Sequence, residues 1–445
     1  MFDIPYQQAW DVYRQWSRQY GSDIIRVRAP GKNIVVLNSL EAVTDLFEKK
    51  SSIYSDRFHS TLLHDLVGFR WAVSLTGYGK RFKDSRRVLH KEFNEGTVKR
   101  YRDVEARSTH RLLFDLLRDP RGYETHIQGF AARVIMKVTY DIDLKANNDP
   151  FVSIAEEATD AFSIATASMF LVDLIPMLRF IPEWVPGAGF QRQARLWRHA
   201  ASLLLNEPWE SVKSRMAKGE SFECVTTRLL EGVEQTDEGD EPYMQSIIAG
   251  AMGTMYGAAT HTTISTLTSF FLAMVLYPEV QQKAQVELTQ VLGNKQLPTF
   301  SDMDNLPYVG ALVSECMRWP PIIPLAVPHR VMEDDVYKGY YIPKGTIVMG
   351  NTQSILHNEE IYPEPTRFYP ERYLSDGERD PSVRDPASIL FGFGRRVCPG
   401  RFMAKDIIWI TIASILHVYD IHKERDVNGY EITPEISFGP GAVTD

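Results

Sequence analysis

One cysteine near the end of this 445-residue chain is the residue best suited to metal chemistry. Gly392 and Gly394 precede Cys398, and a backbone without Cβ atoms can approach a flat group closely. Pro399 favours the first position of a helix, so Cys398 is expected at a helix N-terminus, where the helix dipole favours a thiolate. The stretch therefore predicts a thiolate ligand for a metal, and Arg396 indicates a second anion nearby.

The spacing of six residues around this cysteine resembles the haem-binding signature of the cytochrome P450 superfamily. The matched residues are Phe391, Gly392, Gly394, Arg396, Cys398 and Gly400. The resemblance implies that the cysteine is the axial ligand of the iron of haem b and that the other matched residues shape the haem site. A packing cysteine in a glycine-rich turn is the alternative.

The same resemblance implies the fold. We expect a single, mainly α-helical domain over residues 1–445 with small β-sheets, in which haem lies between a long central helix and the helix after the cysteine. With 44% hydrophobic residues and no long linker, one large core is the simplest interpretation of the composition.

Charge and cysteine usage exclude several classes of protein. The formal net charge is −8, whereas nonspecific nucleic-acid binding requires a basic surface. Three cysteines, Cys224, Cys316 and Cys398, argue against a disulfide scaffold and for a reducing compartment. We expect a monomer that binds no nucleic acid.

The two ends of the chain differ from the usual pattern of the family. Residues 1–6 show neither a signal peptide nor a membrane span. Fungal and animal relatives usually begin with an apolar anchor and end with a strand pair in the pocket roof, and we expect both to be absent. The protein is then a trimmed form of one anchored at the endoplasmic reticulum membrane, facing the cytosol, or it is a cytoplasmic variant.

The first part of the chain predicts a small sheet followed by helices. A helix is expected over residues 11–20, a hairpin over residues 24–37 and a second helix over residues 40–49. Residues 57–79 are apolar and irregular. The resemblance places them over the haem beside the substrate, although ordinary core packing explains each side chain equally well.

Basic residues concentrate between residues 80 and 102, where nine Lys or Arg outnumber three acids. The resemblance implies that Arg86, on a helix over residues 79–93, holds a haem propionate. It also implies that the region docks an acidic, NADPH-dependent flavoprotein reductase. Phe82 replaces the usual Trp and loses an indole hydrogen bond. A solvated helix face is the alternative explanation of the charge.

An apolar stretch with three prolines follows a long apolar helix. The prolines of residues 174–187 forbid a continuous helix, so an exposed loop is predicted. The resemblance makes this loop a lid over the substrate entrance, with a peripheral membrane contact.

Residues 247–277 carry no formal charge when His261 is counted as neutral. At about 1.5 Å per residue they predict a helix of about 47 Å. Their length and composition also satisfy the rule for a membrane span. The polar middle of the stretch favours a buried helix instead.

The middle of this helix resembles the oxygen-binding segment of the family. Thr262 falls on the threonine that supports proton delivery, and Ala258 on the small residue beside the haem. Ala259 replaces the usual glycine, and His261 replaces the acid that recruits protons. Four roles of His261 stay open. It can relay protons itself, or it can hold the water chain poorly so that electrons are lost as peroxide. The substrate can instead supply the proton, or the His261 side chain can face away from the haem.

Two further motifs follow in the order that the family shows. Glu315 and Arg318 lie three positions apart on a predicted helix over residues 308–319, and Arg372 follows downstream. The resemblance implies that they form a buried cluster that holds the haem loop.

An extended apolar segment between these motifs is implied to pass the haem. His329 at its end is then a second propionate ligand beside Arg86 and Arg396, with Arg330 as a weaker choice. Residues 339–348 predict another hairpin.

Taken together, the resemblance implies a haem-thiolate monooxygenase of fungal secondary metabolism. It would oxidise a small, mainly apolar substrate with O2 and with electrons from NADPH through the reductase. Because of His261 and Ala259, two alternatives stay open. One is a haem-thiolate isomerase, dehydratase or peroxide-dependent oxidant, and the other is a haem-binding relative of low activity.

Overall fold

The computed structural model describes residues 5, 8–29, 31–145, 149–167, 170–234, 240–294 and 296–434. Within these ranges the chain is mostly helical, and this confirms the predicted mainly α class with small sheets. The α-helices are α1 Ala9–Tyr20, α2 Leu40–Val43, α3 Ser51–Tyr54, α4 Lys80–Phe93, α5 Glu95–Val98, α6 Arg102–Arg118, α7 Tyr123–Tyr140, α8 Pro150–Ala167, α9 Leu171–Leu174, α10 Gly189–Ala217, α11 Val225–Glu234, α12 Glu241–Leu276, α13 Pro278–Leu292, α14 Pro307–Arg318, α15 Thr352–Leu356, α16 Ala387–Leu390 and α17 Arg401–Val418.

Short strands of the described residues form one five-stranded and two two-stranded sheets. The strands are β1 Ile24–Ala29, β2 Lys32–Leu37, β3 Asp56–Arg57, β4 His329–Arg330, β5 Asp335–Tyr337, β6 Tyr340–Ile342, β7 Ile347–Gly350, β8 Leu374–Ser375 and β9 Glu378–Arg379. The larger sheet has the order β1-β2-β7-β4-β3, with β2 and β7 parallel. It therefore joins the N-terminal hairpin to strands from the last third of the chain.

The N-terminal elements follow the predicted pattern with two differences. Gly21 ends α1 with a left-handed φ of 58°, and β1 and β2 form the expected antiparallel hairpin. The helix predicted over residues 40–49 continues from α2 as the π-helix Thr44–Lys49. The stretch predicted as irregular contains the π-helix Thr61–Val67 and the 3₁₀-helix Phe69–Trp71.

The hairpin predicted over residues 339–348 is wrong in its pairing. Strand β6 pairs with β5, whereas β7 joins the large sheet between β2 and β4. The turn lies at Lys338 and Gly339, which both have positive φ (48° and 81°), as a two-residue hairpin turn requires. The later glycine, Gly345, instead redirects the chain towards the other sheet.

The central helix α12 crosses the middle of the protein over 36 residues. It packs against α4, α7, α8, α10, α11, α13, α14 and α17. It is also the one helix of the described residues that is long and apolar enough to cross a membrane, a test that core helices of soluble proteins also pass. Its helical neighbours identify it as a core helix, as the sequence predicted.

The proline-rich stretch is not a continuous helix. After α9 it forms the 3₁₀-helix Pro176–Phe180 and then turns until α10 begins. Met177, Phe180 and Trp184 are exposed by 76%, 71% and 80%, as expected for an apolar surface loop. Predictions for residues 1–4, 6–7, 30, 235–239 and 439–445 lie outside the described residues.

Candidate functional site

Cys398 lies in a tight loop just before α17, which we call the cysteine loop (residues 391–400), and is half-buried. Its N–H donates to the Phe391 carbonyl at 2.7 Å, which closes the loop. The helix begins at Arg401, so the prediction of Pro399 as its first residue is wrong. Gly400 occupies the capping position, because its carbonyl accepts the hydrogen bond from Ala404 at 2.9 Å.

The surroundings of Cys398 act on the pKa of its thiol in two opposite directions. Burial raises the pKa of the thiol above its ordinary value. The N–H of Gly400 and the guanidinium groups of Arg86 and Arg401 oppose this shift without cancelling it. Desolvation by tertiary packing therefore outweighs the helix terminus, and a metal cation bound at the sulfur would supply the compensating positive charge.

The two glycines of the loop have different surroundings. Gly394 has a φ of +53°, and a Cβ at this position would lie 2.1 Å from the Phe47 carbonyl oxygen. Gly392 has a φ of +76°, and apart from its two chain neighbours the atom nearest to such a Cβ is the Arg396 carbonyl oxygen, at 3.9 Å. The close approach at Gly394 is therefore to the protein backbone rather than to a flat ligand.

The loop meets the central helix at Gly400. A Cβ at Gly400 would lie 3.4 Å from Cε of Met255 on α12 and 4.0 Å from the Cys398 sulfur. Further along α12, Ala258 is exposed and Thr262 is half-buried, although most residues of the helix around them are buried. These two residues, one helical turn apart, are therefore accessible on a helix that is mostly buried around them.

Arg86 and Arg396 are partly buried cations beside the cysteine loop. Nη1 of Arg86 donates to the Val397 carbonyl at 2.7 Å. Arg396 donates to the carbonyls of Ser55 and Thr76 at 2.7 and 2.9 Å, and burial lowers its pKa to about 9. In the described part of the chain, neither side chain forms an ion pair with a carboxylate.

Arg57 is a third buried cation, and no sequence motif pointed to it. Its Nη1 donates to the carbonyls of Val327 and Pro328 at 2.6 and 2.8 Å, and its Nε donates to the Ser74 carbonyl at 2.9 Å. Burial and the charge of Arg396 lower its pKa well below the ordinary value. The adjacent Asp56 would suggest an ion pair with Arg57 from the sequence alone. In the structure, however, the Asp56 carboxylate pairs with Arg330.

His329 lies opposite Arg57 in the antiparallel pair of β3 and β4. Its ring stacks on Phe47 at 4.1 Å, and its Nδ1 lies 2.6 Å from the Tyr54 carbonyl oxygen. Burial lowers the pKa of His329 well below its ordinary value, so the ring is neutral and Nδ1 carries the proton. Its Nε2 can donate to a propionate only when the ring is protonated, which a nearby carboxylate would favour.

These cations fit the group that the resemblance implies. Arg57, Arg86 and Arg396 donate to backbone carbonyls, and none has a carboxylate partner within 4.0 Å in the described ranges. Haem carries two propionates, which would compensate buried positive charge of this kind. Together with Cys398, these side chains could hold haem by its metal and its carboxylates.

His261 points towards α8 rather than towards the cysteine loop's cations. Its Nε2 lies 3.9 Å from a carboxylate oxygen of Asp160 on that helix. The Asp160 side chain is 66% exposed, whereas that of His261 is only 15% exposed. The Thr262 hydroxyl donates to the Ala258 carbonyl at 2.8 Å. No sequence motif pointed to Asp160.

The structure brings Glu315, Arg318 and Arg372 together. Glu315 and Arg318 are fully buried and form two hydrogen bonds of 2.8 Å, and Nε of Arg372 donates to the same carboxylate at 3.2 Å. The hydroxyl of Tyr373 donates to it at 3.1 Å. The cluster ties α14 to the segment that leads to the cysteine loop.

Comparison with known proteins identifies the family. A family model described as Cytochrome P450 matches residues 1–441. The chain is 43% identical to Cytochrome P450 monooxygenase 98 of Postia placenta, over 98% of this chain and 84% of the relative. It is 40% identical to Cytochrome P450 monooxygenase ple1 of Rhodocybe pseudopiperita, over 98% and 83%. It is 37% identical to tryptamine 4-monooxygenase of Psilocybe cyanescens, over 99% and 87%.

The chain therefore belongs to the cytochrome P450 family. It is an oxidoreductase of the monooxygenase class. Membership implies a haem-iron cofactor, a small-molecule substrate and a redox partner.

Proposed function

We propose that this protein hydroxylates or otherwise oxidises a small, mainly apolar substrate of secondary metabolism. It uses O2 and electrons that NADPH supplies through a flavoprotein reductase. The observation that carries this proposal is the site itself. Cys398 lies in a loop that contains Arg396, accepts a hydrogen bond from Arg86 and meets α12 at Met255, and the accessible Ala258–Thr262 turn follows on that helix.

Each residue has a role in this proposal. Haem supplies the oxygen-activating chemistry when it is bound. Cys398 ligates the metal, and Arg86, His329 and Arg396 hold the propionates. Arg57, which donates to the carbonyls of Ser74 and Val327, orients the same groups. Phe391, Gly392, Gly394 and Gly400 shape the loop.

Proton supply is assigned to Thr262 and His261. The Thr262 hydroxyl is held by the Ala258 carbonyl on the accessible face of α12. The neighbouring His261 contacts Asp160, whose exposed carboxylate exchanges protons with solvent. This arrangement supports a route from solvent to the middle of the helix, with an imidazole in place of the usual acid.

Reductase docking is assigned to residues 80–102. The side chains of Lys80, Arg87 and Arg100 are exposed by 71%, 76% and 51%. Arg86 and Arg102 instead turn inward, the latter to Asp406 at 2.8 Å. A basic surface beside the cysteine loop would steer an acidic partner, and the rate of electron transfer should fall as ionic strength rises.

The proposed location is the cytosolic face of the endoplasmic reticulum membrane. The exposed apolar side chains of Met177, Phe180 and Trp184 support a peripheral contact with lipid. We further propose that the chain acts as one monomeric domain.

The absorbance spectrum of the reduced protein with carbon monoxide tests the site. We expect the red-shifted Soret band of thiolate-ligated haem, and its loss in Cys398→Ser. Absence of the band from the unmodified protein would overturn the proposal. Product formation that requires the reductase separates a monooxygenase from an isomerase or dehydratase, which would turn over without electrons.

A further inference from the structure

We propose that a cavity between α4 and α11 is a binding site for a phosphate group, either the free ion or a small phosphate ester. The cavity has a volume of about 360 Å³. It is lined by charged side chains and one glycine, namely Lys91, Glu92, Arg100, Arg228, Glu231 and Gly232. None of the residues assigned above to the haem site lines this cavity.

The buried part of the lining is a compensated set of charges. The Glu92 side chain is 3% exposed, and its Oε2 accepts hydrogen bonds from Nη2 of Arg228 and from the Tyr101 hydroxyl, both at 2.9 Å. Nη1 of Arg228 donates to Glu223 at 3.0 Å. Glu92 and Arg228 therefore neutralise each other and hold the cavity in shape.

Two other cations of the lining lack such compensation. Lys91 is exposed, and in the described part of the chain its Nζ forms no ion pair. A Cβ at Gly232 would lie 3.3 Å from this Nζ, so the missing side chain on α11 leaves room for the ammonium group. Arg100 is 51% exposed, and its Nη1 lies 4.0 Å from the carboxylate of Glu92, too far for a hydrogen bond. Both groups can therefore donate to a ligand.

The arrangement of these two cations selects the class of ligand. Lys91 lies on α4, whereas Arg100 lies on the 3₁₀-helix Lys99–Tyr101, so one ligand must accept hydrogen bonds from two directions. A phosphate group carries a charge of about −1.5 to −2 and has three acceptor oxygens that do not share a plane with their centre. A carboxylate has one charge and two oxygens in one plane. A lining of charged side chains is also costly to desolvate for an apolar ligand. Phosphate therefore fits the cavity best.

Glu231 reports the sign of the ligand's charge. It is exposed beside Gly232 on α11, and it forms no ion pair in the part of the chain that the structure describes. Its carboxylate repels an anion and attracts a cation. Glu231→Gln should therefore strengthen the binding of an anion and weaken the binding of a cation.

A second cavity of about 360 Å³ provides a matched control, because Arg367 and Arg372 are part of its lining. Arg367 pairs with Glu364 at 3.1 Å, and Arg372 pairs with Glu315 at 3.2 Å. The arginines of this cavity are therefore compensated. Arg367→Gln removes one positive charge from the protein without removing an uncompensated donor.

Occupancy of the site has a consequence for electron transfer, and this consequence rests on the proposed function. Lys91 and Arg100 belong to residues 80–102, to which reductase docking is assigned above. A bound phosphate would neutralise both side chains and weaken the attraction of an acidic partner. At equal ionic strength, phosphate should therefore slow the reduction of the haem by the reductase more than chloride does.

Calorimetric titration of the full, haem-loaded chain with inorganic phosphate tests the site, with chloride holding the ionic strength constant. We expect one site with a Kd of about 1 mM. Lys91→Gln and Arg100→Gln should each bind about fivefold more weakly, as expected for the loss of one exposed ion pair. Glu231→Gln should bind about twofold more tightly. Arg367→Gln should bind like the unmodified protein.

Two further measurements locate the site and define its ligand. Phosphate should slow the acetylation of Lys91, followed by mass spectrometry, but not that of the exposed Lys344. Titration with glycerol 3-phosphate distinguishes the two forms of the ligand. Binding tighter than that of inorganic phosphate assigns the site to a phosphate ester, and weaker binding assigns it to the free ion.

The phosphate site is refuted if the unmodified protein shows no saturable binding, if Lys91→Gln binds phosphate as tightly as Arg367→Gln, or if Glu231→Gln weakens the binding. These titrations need neither the reductase nor turnover. A protein that lacks the carbon monoxide band therefore contradicts the proposed function, whereas equal phosphate affinities in Lys91→Gln and Arg367→Gln contradict the phosphate site.

Discussion

Substitution of the two loop glycines separates backbone strain from steric contact. Gly394→Ala places an L-residue at a φ of +53°, which costs about 1–2 kcal/mol. Its methyl group would also lie 2.1 Å from the Phe47 carbonyl oxygen, so the loop or the π-helix Thr44–Lys49 must shift. Overpacking of this kind costs about 1–3 kcal/mol. We therefore expect a total loss of about 2–5 kcal/mol.

Gly392→Ala is the matched control. Its φ of +76° carries the same backbone cost, but the atom nearest to its added Cβ outside the two neighbouring residues is 3.9 Å away. We expect a loss of about 1–2 kcal/mol. Urea unfolding followed by circular dichroism gives both free energies, and the carbon monoxide band gives the fraction of protein with thiolate-ligated haem. Equal losses in the two variants would refute the role assigned to the contact with Phe47.

Three other predictions concern charged groups. The Arg57→Met variant should release haem to an acceptor protein about tenfold faster than the unmodified protein, which corresponds to about 1.4 kcal/mol. The control variant Arg330→Met, which changes a salt-bridged surface residue, should release haem at the unmodified rate. Equal rates in the two variants would contradict the propionate role of Arg57. Glu105 is fully buried, has no hydrogen-bond partner among the described residues, and has a pKa raised well above its ordinary value by burial. In the unfolded protein the Glu105 carboxyl releases its proton above about pH 4.3, whereas in the folded protein it retains that proton. The free energy of unfolding should therefore fall as the pH rises from there. Glu105→Gln should remove this loss of stability. Urea titrations at about pH 5 and about pH 8 would contradict the prediction if the free energies of unfolding of the variant and the unmodified protein differed by the same amount at both pH values. His261→Asp should raise the fraction of NADPH electrons that reach product, and unchanged or abolished turnover would count against the relay.

The local parts of the site were predictable from the sequence. The residues around Cys398 lie within ten positions, and Glu315 and Arg318 share one helical face, so short spacing carries the information. The central helix was predictable because its uncharged run is long.

Features that depend on distant contacts were not predictable. The partners of Arg57 come from residues 74, 327 and 328, so its burial has no local pattern. The raised pKa of Cys398 results from tertiary burial that helix position alone does not give. The second hairpin was misassigned because β7 pairs with β2, more than 300 positions away in the chain.

This parallel pair also sets the order in which the protein can mature on the ribosome. Strand β2 is synthesised more than 300 residues before its partner at Ile347–Gly350. Until that partner is made, the edge of β2 lacks its neighbour, and an unpaired strand edge is prone to association with other chains. Nascent chains therefore need protection of that edge during this interval.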